Sequence, residues 1–216
     1  HPMSLVQRIA VTASAVITFA ILAALLAYIL IMGVPNLKPG LFAWHYTSDN
    51  CSMTPAIINT LLMVALSLLL SVPFGIGAAI YLVEYAKRGN KLVKVVRLTA
   101  ETLSGIPSIV YGLFGYLMFV IALNMDKSML AGALTLAIMV LPTILRTTEE
   151  ALKAVPDSFR EGSFGLGAGK LRTVFRIVLP SAVPGIFSGI ILAIGRIVGE
   201  TAALIFTAGT FSGVAG

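Results

Sequence analysis

Five long apolar segments determine what this chain can fold into. A helix needs about 20 mainly apolar residues to cross a hydrocarbon layer about 30 Å thick, and a helix satisfies its backbone polar groups internally, as lipid requires. We therefore predict an all-α integral membrane protein, a polytopic helical bundle in which five spans are visible. The predicted spans are residues 9–34, 55–83, 98–123, 129–145 and 182–208.

The composition agrees with this class and argues against several others. Of the 216 residues, 58% are apolar and 11% charged, whereas soluble domains carry about 25% charged residues. One cysteine, Cys51, and two histidines, His1 and His45, argue against a disulfide framework and a Cys/His metal site. The net charge of +6 comes from basic residues at the ends of spans, a pattern typical of membrane topology. We thus expect surrounding membrane lipids, no bound metal and no nucleic-acid partner.

The basic residues also predict the orientation. Segments 84–97 and 146–176 hold five and six Lys or Arg residues, whereas loops 35–54 and 124–128 hold one each. Because cytoplasmic loops are enriched in Lys and Arg, we expect the N-terminus and both basic segments to face the cytoplasm. The protein is then a multi-pass protein of the cytoplasmic (inner) membrane.

Two charges stand inside the predicted fifth span. Arg196 and Glu200 are four residues apart, which places both on one face of a helix, where they can pair. Charged residues within a span are costly and face protein or water rather than lipid. Two interpretations remain: a packing salt bridge, or a cationic point on an anion path with Glu200 as its counter-charge. Gly195 and Gly199 beside the pair favour close approach of a helix or a ligand.

The polar segment 157–180 is too long for a simple turn between spans, and long ordered loops commonly carry function. It contains Glu161-Gly162-Ser163, then Gly167, and ends with Ile177 and Leu179-Pro180. Its glycine-rich part, 165–170, is not a nucleotide-binding loop. Such a loop needs glycine where Phe164 stands and Ser or Thr where Leu171 stands.

This spacing resembles the cytoplasmic EAA loop of ABC importer permeases. That loop reads Glu-Ala-Ala, three residues, Gly, nine residues, Ile, one residue and Leu-Pro. The present chain matches the spacing throughout and departs only in having Gly162 and Ser163 for the two alanines. The resemblance implies a six-helix fold of the MetI-like permease type, of which the sixth helix is absent from this sequence. We expect 1–54 to hold the first helix and an outer loop, and 55–216 the permease domain with its coupling loop at 157–180.

Three span motifs, 79–86, 105–112 and 195–203, are similar to those of the phosphate-specific transport permeases, and 146–152 is similar to their A-type subunit. The resemblance implies a permease subunit of an ATP-driven importer that moves inorganic phosphate across the cytoplasmic membrane. Its implied partners are a second, C-type permease subunit, a homodimeric B-type ATPase and an extracytoplasmic, S-type phosphate-binding protein. The chain itself is then not an enzyme and binds no cofactor, since the partner ATPase uses the ATP and magnesium.

The resemblance also assigns roles to individual residues. It implies that a short helix in the loop couples to the ATPase, that prolines near the spans act as hinges, and that Arg196 and Glu200 lie on the substrate path. The implied coupling residues are Ser158, Arg160, Glu161, Gly162, Ser163 and Gly167, and the implied hinges are Pro107, Pro142, Pro180 and Pro184. Two alternatives remain open: a permease for molybdate, sulfate or phosphonate, and an ion-coupled secondary transporter that uses Arg196 and Glu200.

Overall fold

The computed structural model describes residues 2–44, 46–47, 52–87 and 89–209; His1, His45 and Cys51 lie outside these ranges. The described residues form nine α-helices and no β-strand, which confirms the all-α class. The helices are α1 (Pro2–Gly33), α2 (Thr54–Ile80), α3 (Lys91–Ser104), α4 (Ser108–Gly115), α5 (Met129–Lys153), α6 (Asp157–Gly165), α7 (Lys170–Thr173), α8 (Leu179–Val198) and α9 (Ala202–Thr207). The chain divides into two compact units, His1–Pro55 and Ala56–Gly216.

The first unit consists of α1 and a short irregular segment. The candidate span Val6–Asn36 is apolar on all sides and exposed along its length, as expected of a helix surrounded by lipid. Two 3₁₀ turns follow α1, Val34–Asn36, which closes this span, and Pro39–Phe42. The Met53 N–H donates to the Leu41 carbonyl at 2.8 Å and closes this segment on itself.

The second unit is built around α5, which contacts α3, α4, α8 and α9. Its buried side chains form one cluster with residues of α2, α4 and α8, namely Met63, Tyr111, Ala133, Leu136, Met139, Val140, Ile144, Ala193 and Ile197. Ser128 caps the start of α5 by accepting a hydrogen bond from the Ala131 N–H at 3.2 Å. The predicted end of this span at residue 145 was wrong, because the helix continues to Lys153 and passes through Pro142 without interruption.

The predicted third span, 98–123, is interrupted rather than continuous. The chain forms α3, breaks at Gly105 and continues as α4 with a π-helical turn, Tyr116–Ala122, and the two parts meet at 106°. Pro107 supplies the cause, because proline removes a backbone donor and disfavours helix at the residue before it. Four described helices are long and apolar enough to cross a membrane, or five if this bent pair counts as one span.

The predicted fifth span, 182–208, differs at both ends. A continuous helix runs from Lys170 through a π-helical turn at Val174–Val178 to Val198, so Pro180 and Pro184 lie inside it. The helix then stops, and α9 begins only at Ala202. The last apolar segment is therefore a broken helix: α8 ends two residues after Arg196, and residues 199–201 form the interruption.

Candidate functional site

The coupling segment folds into α6, a short helix with a defined start and stop. Pro156 precedes it, and Asp157 lies in its first turn, where a carboxylate interacts favourably with the helix dipole. At its end the Ala168 N–H donates to the Ser163 carbonyl at 3.1 Å and the Gly167 N–H to the Phe164 carbonyl at 2.9 Å. This Schellman arrangement needs a residue with positive φ, and Gly167 has φ +82°. Gly167 therefore ends the helix.

The two faces of α6 differ. Ser158, Glu161 and Gly162 are exposed on one face, and a side chain added at Gly162 would meet nothing within 4 Å. On the opposite face Ser163 is buried, with its hydroxyl 2.8 Å from that of Thr173. Gly162 and Ser163 are small residues predicted at the surface that contacts the partner. The structure leaves Gly162 exposed, whereas Ser163 is buried within its own subunit.

Arg160 joins α6 to two other parts of the bundle. Its Nε and Nη2 donate to Glu84 Oε1 at 3.1 and 2.7 Å, and its Nη1 donates to Asp157 at 3.1 Å. Nη2 also donates to the Leu152 carbonyl at 2.9 Å and Nη1 to the Val155 carbonyl at 2.8 Å. A guanidinium has five N–H donors, so these contacts use all of them. Arg160, a predicted coupling residue, thus holds α6 against the π-helical turn Tyr81–Tyr85 that follows α2 and against the end of α5.

Small residues let α8 pack closely against α5. A side chain added at Gly185 would overlap Ala151, and one added at Gly189 would overlap the Thr147 side chain. The spacing Gly-x-x-x-Gly is the known device for close helix contact in membranes. Sequence reasoning missed this pair and emphasised Gly195 instead, beside which an added side chain would meet nothing within 4 Å.

The same helix pair positions Arg196. Its Nη1 lies 3.5 Å from the Thr143 hydroxyl of α5, a long contact that leaves most of the guanidinium's hydrogen-bonding capacity unused. At about 1.5 Å per residue, Thr143 is roughly 21 Å from Met129 and 15 Å from Lys153 along α5. The half-buried guanidinium therefore lies near the middle of that helix, where an unpaired charge is costly.

Glu200 is not the partner of Arg196. The helix ends at Val198, which removes the predicted one-turn spacing, and the two residues form no ion pair within 4.0 Å in the described structure. Glu200 Oε1 instead accepts a hydrogen bond from the Ala203 N–H at 3.2 Å, in the first turn of α9. The predicted pairing was wrong because the helix breaks between the two residues.

A set of ion pairs that the sequence did not reveal ties α3 to α5. Buried Glu149 pairs with Arg97 at 2.7 Å and with Lys153 at 2.6 Å. Glu101 forms a longer, exposed ion pair with Arg146 at 3.8 Å. The sequence did not identify Glu149 as a buried ion-pair residue, because its partner Arg97 belongs to another helix.

The segment 165–170 contains the end of α6 and the start of α7, which is not the architecture of a nucleotide-binding loop. Among the described residues, no group of three or more His, Cys, Asp or Glu side chains is arranged to hold a metal ion.

The fold is similar to that of a solved membrane transporter. The structure aligns with inward-facing conformations of the MetNI methionine ABC transporter, with a TM-score of 0.56, 21% identity and 69% of each chain covered. A likeness at this identity concerns the fold alone. It confirms a helical-bundle fold of the MetI-like type.

Sequence relatives identify the family. The chain belongs to the binding-protein-dependent transport system inner membrane components, whose family model matches residues 71–214. It is 38% identical over 90% of its length to the probable ABC transporter permease protein YqgI of Bacillus subtilis, covering 67% of that protein. It is 42% identical over 71% of its length to the phosphate transport system permease protein PstA 1 of Mycobacterium tuberculosis, and 40% over 81% to PstA of Yersinia pestis.

These relatives confirm the resemblance to phosphate-specific transport permeases that the span motifs indicated. The chain covers 50% of the Mycobacterium tuberculosis protein and 60% of the Yersinia pestis protein. It thus spans about half to two thirds of the length of the relatives it matches.

Proposed function

We propose that this chain is the PstA-type permease subunit of an ATP-driven importer that moves inorganic phosphate across the cytoplasmic membrane. The observation that carries the proposal is the relatedness to phosphate transport permeases, at 40–42% identity. The basic segments at 84–97 and 146–176 support a cytoplasmic N-terminus and a cytoplasmic α6. The chain supplies the path and the coupling, and hydrolysis belongs to a partner.

Coupling starts at the open face of α6. Ser158, Glu161 and Gly162 form an exposed surface, and the exposed side chains of Phe159 and Leu166 flank it. This surface contacts the ATPase, and closure of the ATPase pair moves α6. Because Arg160 uses all five donors on the ends of α2 and α5 and on α6 itself, the movement passes to those two helices.

Arg196 supplies the attraction for the anion. It stands near the middle of α5's length with no carboxylate within ion-pair distance in the described structure, beside the break between α8 and α9. Interrupted helices at mid-membrane are characteristic substrate sites in transporters. A lone guanidinium binds phosphate weakly, which permits release after transfer.

The importer needs further subunits. The proposed partners are a PstC-type permease, a PstB-type ATPase dimer that uses ATP and magnesium, and a PstS-type phosphate-binding protein outside the membrane. Pro107, Pro142, Pro180 and Pro184 are the proposed places where the helices bend during transport. Of these, Pro107 lies at an existing break, and the other three lie within continuous helices.

Uptake of labelled phosphate by the assembled transporter in liposomes tests the substrate. We expect unlabelled phosphate to compete and sulfate, molybdate and phosphonate to compete poorly. Equal competition by molybdate or sulfate would contradict phosphate as the substrate and favour a related oxyanion permease.

A bulky substitution tests the coupling surface separately. Gly162→Trp adds a ring where its own subunit leaves open space, so we expect a folded chain that no longer binds or stimulates the ATPase. The matched control is Gly77→Trp, which also enters open space but lies on α2. Normal ATPase binding by Gly162→Trp would place the docking surface elsewhere.

A further inference from the structure

Helix α3 has three chemically different faces. Val93, Val96 and Ala100 face inward, where Val93 and Val96 pack against a small cluster of Ala100, Leu82 and Leu145. A second face is apolar yet uncovered by the second unit's other helices: Leu92, Val95 and Leu98 are 56%, 60% and 61% exposed. A surface helix in water needs only the apolar face that packs against its own protein, so the second apolar face of α3 requires another explanation.

The remaining face of α3 is charged. Lys94, Arg97 and Glu101 recur at helical spacing, and Lys91, at the start of α3, lies between Val95 and Leu98 on the exposed apolar face. Arg97 is paired with Glu149. Lys87, Lys91 and Lys94 have no acidic partner within 4.0 Å in the part of the chain that the structure describes. They line an open cleft of about 900 Å³ at the end of the bundle.

The position of α3 explains this pattern. It meets α4, whose apolar run continues to Ala122, at 106°, so it lies nearly parallel to the membrane surface when α4 crosses the membrane. It contacts α5 at Leu145 and Glu149, one to two turns before that helix ends at Lys153. Because α5 exceeds the hydrocarbon thickness at roughly 37 Å, this level is close to the boundary between acyl chains and headgroups.

We propose that α3 is an interfacial helix that binds anionic phospholipid, with Leu92, Val95 and Leu98 among the acyl chains and Lys91 and Lys94 on the headgroup phosphates. Amphipathic helices with lysines beside an apolar face bind anionic membranes in this way, and lysine stems reach along apolar surface while the ammonium stays at the polar boundary. The unpaired positive charge of these lysines complements the negative leaflet.

This inference does not depend on the transported ion, and it uses the proposed orientation only to assign the cytoplasmic leaflet. Arg97 links this interfacial helix to α5 through Glu149, and Lys91 and Lys94 line the same cleft as Glu84 and Arg160.

Spin labels on the full chain in nanodiscs test the position of α3. In a Cys51→Ser background, a label at Leu98→Cys should be accessible to oxygen and protected from an aqueous nickel chelate. Leu69→Cys on an exposed site of α2 and Glu161→Cys on α6 serve as acyl-chain and aqueous controls. A Leu98 label that is open to the chelate, or closed to both reagents because protein covers it, would overturn the proposal.

Lipid binding by the same full chain tests the lysines. Retention of phosphatidylglycerol, measured by native mass spectrometry, should fall about fivefold for each lysine lost in the double variant Lys91→Gln/Lys94→Gln. The control Lys38→Gln/Lys127→Gln removes the same charge elsewhere and should retain the lipid. Unchanged retention in the first variant, or displacement of the lipid by millimolar inorganic phosphate, would overturn the proposal and, in the second case, identify a free-anion site.

Discussion

Arg160 and Glu84 lie 76 residues apart in the sequence, yet their side chains form an ion pair of 2.7 Å in which only 15% and 8% of each side chain is exposed. The pair joins the coupling helix α6 to the end of α2. Because Arg160 also donates to the Leu152 carbonyl of α5 and to the Val155 carbonyl just after that helix, one side chain connects three helices. This connection makes α6 a rigid extension of the bundle.

Removing the Arg160 side chain should destabilise the protein strongly. Breaking a buried ion pair by deleting one partner costs about 3–5 kcal/mol, so Arg160→Ala should lower the thermal unfolding temperature and abolish uptake. Arg160→Lys keeps the charge but has fewer donors and the wrong shape, and should recover only part of both. Arg172→Ala, an exposed arginine in α7, is the control. A normal unfolding temperature for Arg160→Ala would contradict the anchoring role.

Substitution by alanine should change the stability of the protein in opposite directions at Gly167 and at Gly162. Gly167→Ala forces a side chain into positive φ and should cost about 1–2 kcal/mol. Gly162→Ala lies in helix with open space around it and should stabilise α6 by up to about 1 kcal/mol. Unfolding of the two variants, measured side by side, checks this. Equal effects would mean that Gly167 does not end the helix as described.

Packing of α8 against α5 should be sensitive at Gly189. Gly189→Ala adds a methyl group that overlaps Thr147 and should cost about 1–3 kcal/mol, whereas Gly77→Ala, in open space, should be neutral or slightly stabilising. Thr147→Gly in the Gly189→Ala background should restore part of the loss, because it removes the overlapping side chain. Additive losses in the double variant would show that the two residues do not meet.

Glu200 should act through its hydrogen bond rather than its charge. Glu200→Gln keeps an oxygen that can accept from the Ala203 N–H, so we expect near-normal uptake and stability. Glu200→Ala removes the contact and should cost about 1 kcal/mol, as other side-chain caps do. A severe uptake defect in Glu200→Gln with normal stability would instead assign the charge itself to the path.

The sequence predicted those features that depend on residues close together in the chain. The apolar runs predicted the helical membrane class, and the spaced pattern from Glu161 to Pro180 predicted a coupling segment, which the structure resolves into α6 and the start of a long helix. It could not predict the partners of Arg160, because Glu84 and the α5 carbonyls come from distant parts of the chain.

Breaks inside apolar runs were the main source of error. Pro107 and Gly199 both signalled interruptions, but uniform hydrophobicity on either side made each run resemble one span. Once the chain breaks after Val198, Glu200 leaves the face of Arg196. Helix α3 was missed as well, because Lys91, Lys94 and Arg97 were assigned only to a basic segment, although their three-residue spacing places them near one another on a helix.

Phosphate uptake by Arg196→Gln, with ATPase activity measured in parallel on the assembled transporter, tests the central claim most directly. We predict that uptake falls at least about tenfold, equivalent to about 1.4 kcal/mol, while assembly and binding-protein-stimulated hydrolysis persist. Arg196→Lys should retain part of the uptake, and the control Arg8→Gln should be normal. Unchanged uptake by an assembled Arg196→Gln transporter would contradict the claim that Arg196 attracts the anion, and would leave it as a packing residue beside Thr143.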